Sequence, residues 1–175
     1  MAKSAKVIRL TTVLTKPDKD SGWHFLTIEP SVADKLGFAG KSRRVVCTLN
    51  DTHKFQCALL PSGGSFYIII NKKIREKLGI SAGSKVKIEL TKDESKYGLP
   101  MPKEFREVLK QDPEGNKLFH KLSAGKQRSI LYWLGKIKDA DKQIQTAFIF
   151  LEHLKNNDGK IVHDRLTAEL KRPVF

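Results

Sequence analysis

Apolar residues recur along this chain with two different periods. Up to about residue 91 they alternate with polar ones, and from about residue 102 they return every three to four positions. Alternation marks half-buried strands, and the longer period marks amphipathic helices. Lys6–Leu14 is rich in β-branched residues and predicts a strand, followed by a polar loop over 16–22. Trp23–Ile28 predicts a second strand. Pro30 suits the first turn of a short helix ending near Leu36, with Gly37 as a left-handed cap. Arg44–Leu49 predicts a third strand that places Val45, Cys47 and Leu49 on one face. The same order then returns: a strand over Lys54–Leu60, a turn at Pro61-Ser62-Gly63-Gly64 and a strand over Phe66–Ile70. A helix runs from an Asn71 cap to Leu78, closed by Gly79, and Lys85–Leu90 is the last strand.

This recurrence is an internal duplication. Residues 25–40 align without a gap on residues 67–82, centred on Lys35-Leu36-Gly37 and Lys77-Leu78-Gly79. With small adjustments Val45, Cys47 and Leu49 then meet Val86, Ile88 and Leu90. Neither strand–strand–helix–strand unit can bury a core alone, so two copies are expected to interlock about a pseudo-twofold axis. A boundary is expected over Thr91–Pro102, where charged residues give way to Gly98, Pro100 and Pro102. Beyond it the pattern predicts helices over Pro102–Lys110, Pro113–Leu122, Ala124–Ile137 and Asp141–Lys155. Asp112-Pro113-Glu114 and Ser123 are start signals. Ile130, Leu134 and Ile137 form one apolar stripe; Ile144, Phe148, Leu151 and Leu154 form the next. The domains expected are therefore 1–97 (repeats about 6–50 and 54–91), 98–157, and a loosely attached tail over 158–175. The fold class is α+β: a duplicated double-split β-barrel followed by a small helical module.

Charge adds a functional hint. The chain carries 33 Lys and Arg against 19 Asp and Glu, a net of +14. Such an excess attracts anionic partners, though a lysine-rich solvated surface gives the same count. Lys3 and Lys6 precede an apolar run that Arg9, Thr11 and Thr12 interrupt, too short and polar for a signal peptide. No stretch approaches a membrane span. A cytoplasmic location is the expectation. Cys47 and Cys57 are expected opposite each other on the inward face, if Asn50 pairs with Lys54. In a reducing compartment they are read as buried, inert thiols rather than a disulfide.

Candidate chemistry is sparse. The five histidines are scattered, with no pair at helical metal-ligand spacing, although His120 and His153 could meet between helices. No phosphate-cradling loop or nucleophile elbow is present, and carboxylates are dispersed beside lysines. No metal, cofactor or enzymatic activity is expected. Lys72, Lys73 and Arg75 cluster on the second short helix, with Ile74 and Leu78 facing inward. Lys41, Arg43 and Arg44 precede the third strand, and Lys85 and Lys87 alternate outward on the last. These eight are the candidate nucleic-acid contacts, or else ordinary solvated cations. Trp23, Phe25, Phe66 and Tyr67 are read chiefly as barrel core, with base stacking as the alternative. Adjacent Tyr132 and Trp133 cannot share a helix face, so one is expected inside and the other at the interface with the barrel.

Ile70 through Val86 resembles the swapped-hairpin barrels of AbrB-type transition-state regulators, which two chains build together. Here both halves lie in one chain, implying a fused pseudo-dimer and hence a monomer. More closely, Trp23 through Asp93 resembles the domain of unknown function found ahead of a YdeI/OmpD-associated helical domain. The residues that carry this likeness are Trp23, Pro30, Gly63-Gly64, Arg75 with Leu78-Gly79, and the Gly83-to-Leu90 strand. The helical half is similar to that YdeI/OmpD-associated, bacteriocin-protection module through Pro102-Lys103-Glu104-Phe105, Leu109, Phe119, Leu122-Ser123, Gln127-Arg128 and Trp133-Leu134. The family's arginines after the Trp helix are replaced here by residues 139–145. The resemblance implies a bacterial, non-catalytic binding protein in stress or bacteriocin tolerance. Two other readings stand beside it: nucleic-acid binding by the barrel, and a small-ligand or protein-docking cleft between barrel and helices.

Overall fold

The computed structural model describes residues 6–172; Lys3 and the last three residues of the expected tail lie outside them. The chain divides into two compact units, Met1–Glu94 and Ser95–Phe175. The class is α+β.

The first unit holds β1 (Val7–Thr15), β2 (Phe25–Ile28), α1 (Pro30–Lys35) and β3 (Arg44–Leu49). Then follow β4 (His53–Ala58), β5 (Leu60–Ser62), β6 (Ser65–Ile69), α2 (Lys72–Leu78) and β7 (Lys85–Lys92). The local signals act as their chemistry dictates. Asn71 Oδ1 accepts the Ile74 N–H, and Gly79 turns left-handed at φ 62° to end α2. Gly37 does the same at φ 66° after α1.

All strand pairs are antiparallel, in the order β4-β3-β7-β1-β2-β6-β5. The two end strands, β4 and β5, are consecutive in the chain and separated only by Leu59. The sheet's ends are therefore covalently joined, and it curls into a barrel-like body.

The duplication is visible in the hydrogen bonds. β2 pairs with its own copy β6, with Leu26 opposite Ile68. β3 pairs with its own copy β7, with Thr48 opposite Glu89. Thr15 opposite Phe25 in the first repeat corresponds to Leu60 opposite Tyr67 in the second. Val13 opposite Lys85 corresponds to Ala58 opposite Arg44. The Leu14 N–H donates to Ser84 O (2.9 Å) as the Leu59 N–H donates to Arg43 O (2.8 Å). Leu14 and Leu59 are thus equivalent points at which each first strand leaves one partner and joins another. Both are buried in an aliphatic core with Leu26, Ile28, Val45, Ile68, Val86 and Leu90.

Three expectations for this unit are corrected. Pro61 and Ser62 belong to β5, and the turn is confined to Gly63 and Gly64, both at positive φ. The β3–β4 hairpin turns on Asn50 and Asp51 (φ 47° and 58°), with Leu49 opposite His53. That tighter turn puts Cys57 opposite Val45 and Cys47 opposite Phe55, so the thiols are diagonal rather than opposed. Finally, the aromatics do not fill the core. Trp23 is 62% exposed, and Phe25 packs edge-on against Tyr67 (4.8 Å) on the outer side, while Phe66 alone packs against the core cluster.

The second unit comprises α3 (Lys103–Gln111), α4 (Pro113–Lys121), α5 (Ala124–Lys136), α6 (Ala140–Asn156) and α7 (His163–Glu169). Asp112, Ser123 and Asp139 cap α4, α5 and α6 through their side-chain oxygens. Phe105, Phe119, Ile130, Leu131, Leu134, Ala147, Leu151 and Leu154 form its core. Of the expected stripe on α6, Leu151 and Leu154 are buried and Ile144 packs against the core, but Phe148 is exposed, and Gln143, Ala147, Phe150 and His153 join the buried face. Two polar residues sit inside, each held by hydrogen bonds, although Gln143 Oε1 is buried without a partner. Gln143 Nε2 donates to the Leu134 and Ile137 carbonyls at the end of α5 (2.8 and 3.1 Å). His153 bonds Glu169 through Nδ1 (2.7 Å) and accepts the Val162 N–H at Nε2 (3.0 Å). That pairing, with Leu166 in the core, ties down the segment expected to be a loose tail. Tyr132 and Trp133 are 54% and 57% exposed, so neither is packed inside.

Candidate basic face and helical clefts

Register decides which cations share a surface. On the outward side of β4-β3-β7-β1, one row reads Lys54, Thr48, Glu89, Arg9. In the next, Lys87 lies opposite Thr11, and its N–H donates to Asn50 Oδ1 (2.9 Å). Lys85 follows, opposite Val13. Arg9 pairs with Glu89 (2.8 Å), so one positive charge of this face is neutralised. Lys85 and Lys87 are exposed and take part in no ion pair among the described residues. Arg9 and Lys54 were not among the residues expected from sequence. The β3–β4 hairpin brings Lys54 here, and the β1–β7 pairing brings Arg9 beside Glu89, a partner that no local signal encodes.

The other candidates lie elsewhere. Arg43 stacks over the Phe66 ring (4.9 Å to its centre), which fixes the guanidinium beside the core edge. Arg44 opens β3 beside Asp93, whose N–H donates to the Arg44 carbonyl (3.0 Å), and Lys41 is exposed in the preceding loop. On α2, Lys72 pairs with Glu76 (3.6 Å) and Lys73 is exposed. Arg75 is half-buried, at the position where the first repeat buries Ala33. The repeats are therefore alike in backbone and unlike in charge. Nearby, burial and then the Lys77 ammonium hold the His53 imidazole below its ordinary pKa.

The Cys47 thiol is pushed far above the ordinary thiol range, first by its hydrogen bond with Cys57 and then by burial. Its thiolate fraction at neutral pH is negligible. Cys47 should therefore resist a thiol reagent in the native protein and react only on unfolding, whereas half-buried Cys57 should react first. Quantifying modified thiols by mass spectrometry with and without denaturant checks this, and rapid native labelling of Cys47 would contradict it.

His120 and His153 do not meet. His120 bonds the Tyr97 hydroxyl (2.7 Å) and the Asn116 carbonyl (2.9 Å), while His153 is engaged with Glu169 and Val162. Among the described residues no group of three or more His, Cys, Asp and Glu is placed to hold a metal ion, and no helix is long and apolar enough to cross a membrane. The helical unit does contain open clefts. One of about 390 Å³ lies between α5, α6 and α7, floored by Ile130, Phe150 and Leu166. Another of about 580 Å³ is lined by Lys136, Lys138, Asp139 and Lys142. Trp133 and Leu170 border both.

Comparison with known proteins agrees with this division. No curated protein matches the chain. Residues 11–90 match the family described as Domain of unknown function (DUF1905). Residues 99–157 match the family described as Bacteriocin-protection, YdeI or OmpD-Associated. The barrel-like unit is thus similar to the DUF1905 family, and the helical unit that follows it to the YdeI/OmpD-associated, bacteriocin-protection family.

Proposed function

We propose that this is a cytoplasmic, non-catalytic binding protein acting in bacteriocin or stress tolerance, and that its barrel engages nucleic acid through the β4-β3-β7-β1 face. The observation carrying the nucleic-acid reading is the convergence of Lys54, Lys85, Lys87 and Arg9 on one outward surface. Strand-borne cations at fixed spacing suit phosphate contact, which positions a protein on its polymer without reading sequence. The net charge of +14 strengthens approach to any polyanion. The family description supplies the setting of bacteriocin protection. The dispersion of nucleophiles and carboxylates along the chain supports a binding role over a catalytic one.

The outward aromatics favour a single-stranded ligand as a second form of this reading. Trp23, Phe25 and Tyr67 present rings at the opposite side of the barrel, where unpaired bases could stack.

Titration into labelled duplex and single-stranded DNA at two salt concentrations tests both. With Arg9 held by Glu89, three phosphate contacts from Lys54, Lys85 and Lys87 on a duplex give a slope of about −2.7 in log affinity against log salt, so a fourfold rise in salt should weaken binding by roughly 40-fold. Lys85→Glu with Lys87→Glu should reduce the slope by about 2. Trp23→Ala should weaken only the single-stranded ligand. Absence of saturable binding at low salt would sink the nucleic-acid reading.

A further inference from the structure

The two clefts that meet at Trp133 have complementary chemistry. The 390 Å³ cleft is apolar at its floor, where Ile130, Phe150 and Leu166 are almost fully buried, and Ser129, Thr167 and Lys171 stand on its walls. Its volume falls within the range of small-molecule sites. The adjoining cleft presents Lys136, Lys138 and Lys142 with one carboxylate, Asp139. Asp139 is already engaged: its Oδ1 accepts the Lys142 N–H at the start of α6 (2.7 Å). Lys136 lies over the Tyr132 ring (4.1 Å), which holds its ammonium at this end of α5. The Trp133 indole, more than half exposed, stands between the apolar hollow and the cationic one.

We propose that this part of the helical unit binds a free anionic amphiphile, a fatty-acid-type carboxylate. Its alkyl chain lies over Ile130, Phe150 and Leu166, and its head group crosses Trp133 to the three lysines. Charge complementarity selects this occupant: a purely apolar ligand leaves the lysine cleft unused, and a cationic one is repelled by it. Burial of the alkyl chain supplies most of the affinity. The site depends on α7, which contributes Leu166 and Thr167, and on Leu170 just after it, all beyond the family match ending at residue 157. The His153–Glu169 and His153–Val162 hydrogen bonds keep that wall in place.

The test uses the full chain carrying Trp23→Phe, which leaves Trp133 as the sole indole. Dodecanoate, kept below its micelle concentration, should change Trp133 fluorescence saturably. Dodecanol should bind about tenfold more weakly, and dodecyltrimethylammonium weaker still. The triple change Lys136→Glu, Lys138→Glu, Lys142→Glu should remove the preference for dodecanoate and leave dodecanol unaffected. Thr167→Trp and, from the opposite wall, Ser129→Trp fill the apolar cleft from exposed positions, and each should abolish both. Calorimetric titration of the Trp23→Phe protein with dodecanoate gives a reading independent of the indole. A lack of saturable binding by either method overturns the proposal. So does equal affinity for the anionic and cationic dodecyl probes, or unchanged dodecanoate binding in a folded cleft-filling variant.

Discussion

Replacing Phe119 by Ala should cost the helical unit about 3–5 kcal/mol. Phe119 is fully buried on α4 and meets Phe105 of α3 edge-to-face, with ring centres 5.1 Å apart and planes at 89°. Tyr97 closes from a further side at 6.2 Å. Three segments converge on one ring, so the hole left by alanine cannot be closed by moving any one of them. Loss of the aromatic pair adds about 0.5–1.5 kcal/mol of geometry-dependent attraction to the lost burial. Urea unfolding, followed by Trp133 fluorescence in a Trp23→Phe background, reads the change as a lowered midpoint. Phe148→Ala is the internal comparison. The sequence stripe gives it the same standing as a core residue, yet it is exposed on α6. Its loss should stay within about 0.5 kcal/mol. Equal effects at 119 and 148 would refute the packing described here.

Asp112→Ala should remove about 2–4 kcal/mol, because one carboxylate does two jobs. Its Oδ1 accepts the Gly115 N–H at the start of α4 (2.9 Å), and its Oδ2 meets Lys155 Nζ of α6 (2.7 Å). Both side chains are largely sheltered from solvent. Burial alone would raise the Asp112 carboxyl, but Lys155 and the Gly115 N–H together bring it below its ordinary value. Lys155 is held above the ordinary lysine range, first by Asp112 and then by Glu152.

The signs follow from these directions. The depressed Asp112 contributes stability that is full above about pH 4 and lost as pH falls through its folded value. The raised Lys155 contributes stability that is full below about pH 10 and lost as pH rises through its folded value. Asp112→Asn keeps a capping oxygen and loses the ion pair. Its deficit against the parent should be greatest between these limits and shrink below about pH 4. A deficit independent of pH would show that the ion pair carries none of it. Gly115 belongs to the same junction. A Cβ there would lie 2.6 Å from Asp112 Oδ2 and 2.9 Å from Leu151 Cδ1, so the helix accepts a glycine where alanine has the better propensity.

The candidate surfaces were legible to different degrees. Lys85 and Lys87 could be placed outward from alternation alone, because a strand's side chains change face at every residue. Arg9 and Lys54 could not, since they join that face only through partners some 80 and 6 residues away along the ladders. Arg75 has the composition of a surface contact and is half-buried, because α2 is short and its inward side reaches beyond Ile74. Trp133 carried a family signal without a position. The exposure that makes it a candidate ligand contact depends on how α5, α6 and α7 leave a gap.

What the sequence determined by itself was whatever is written within a few residues. The duplicated Lys-Leu-Gly segments fixed two copies of one strand–strand–helix–strand order. Asn71, Asp112, Ser123, Gly37 and Gly79 fixed where helices begin and end, because a cap is a bond between near neighbours. Tertiary structure decided the rest. The left-handed pair Asn50 and Asp51 set a register that moved Cys57 from opposite Cys47 to opposite Val45. The pairing of β2 with β6 and of β3 with β7 joined the two copies across their axis. The carbonyls at the end of α5 drew Gln143 into the core, and His153 anchored α7, widening the inward side of α6 beyond its most apolar stripe and leaving Phe148 outside. Some of these contacts join strands about 40 residues apart and others join neighbouring elements across a turn, but all form between separate elements. Their energy depends on which groups arrive together, and that is settled only when the chain closes on itself.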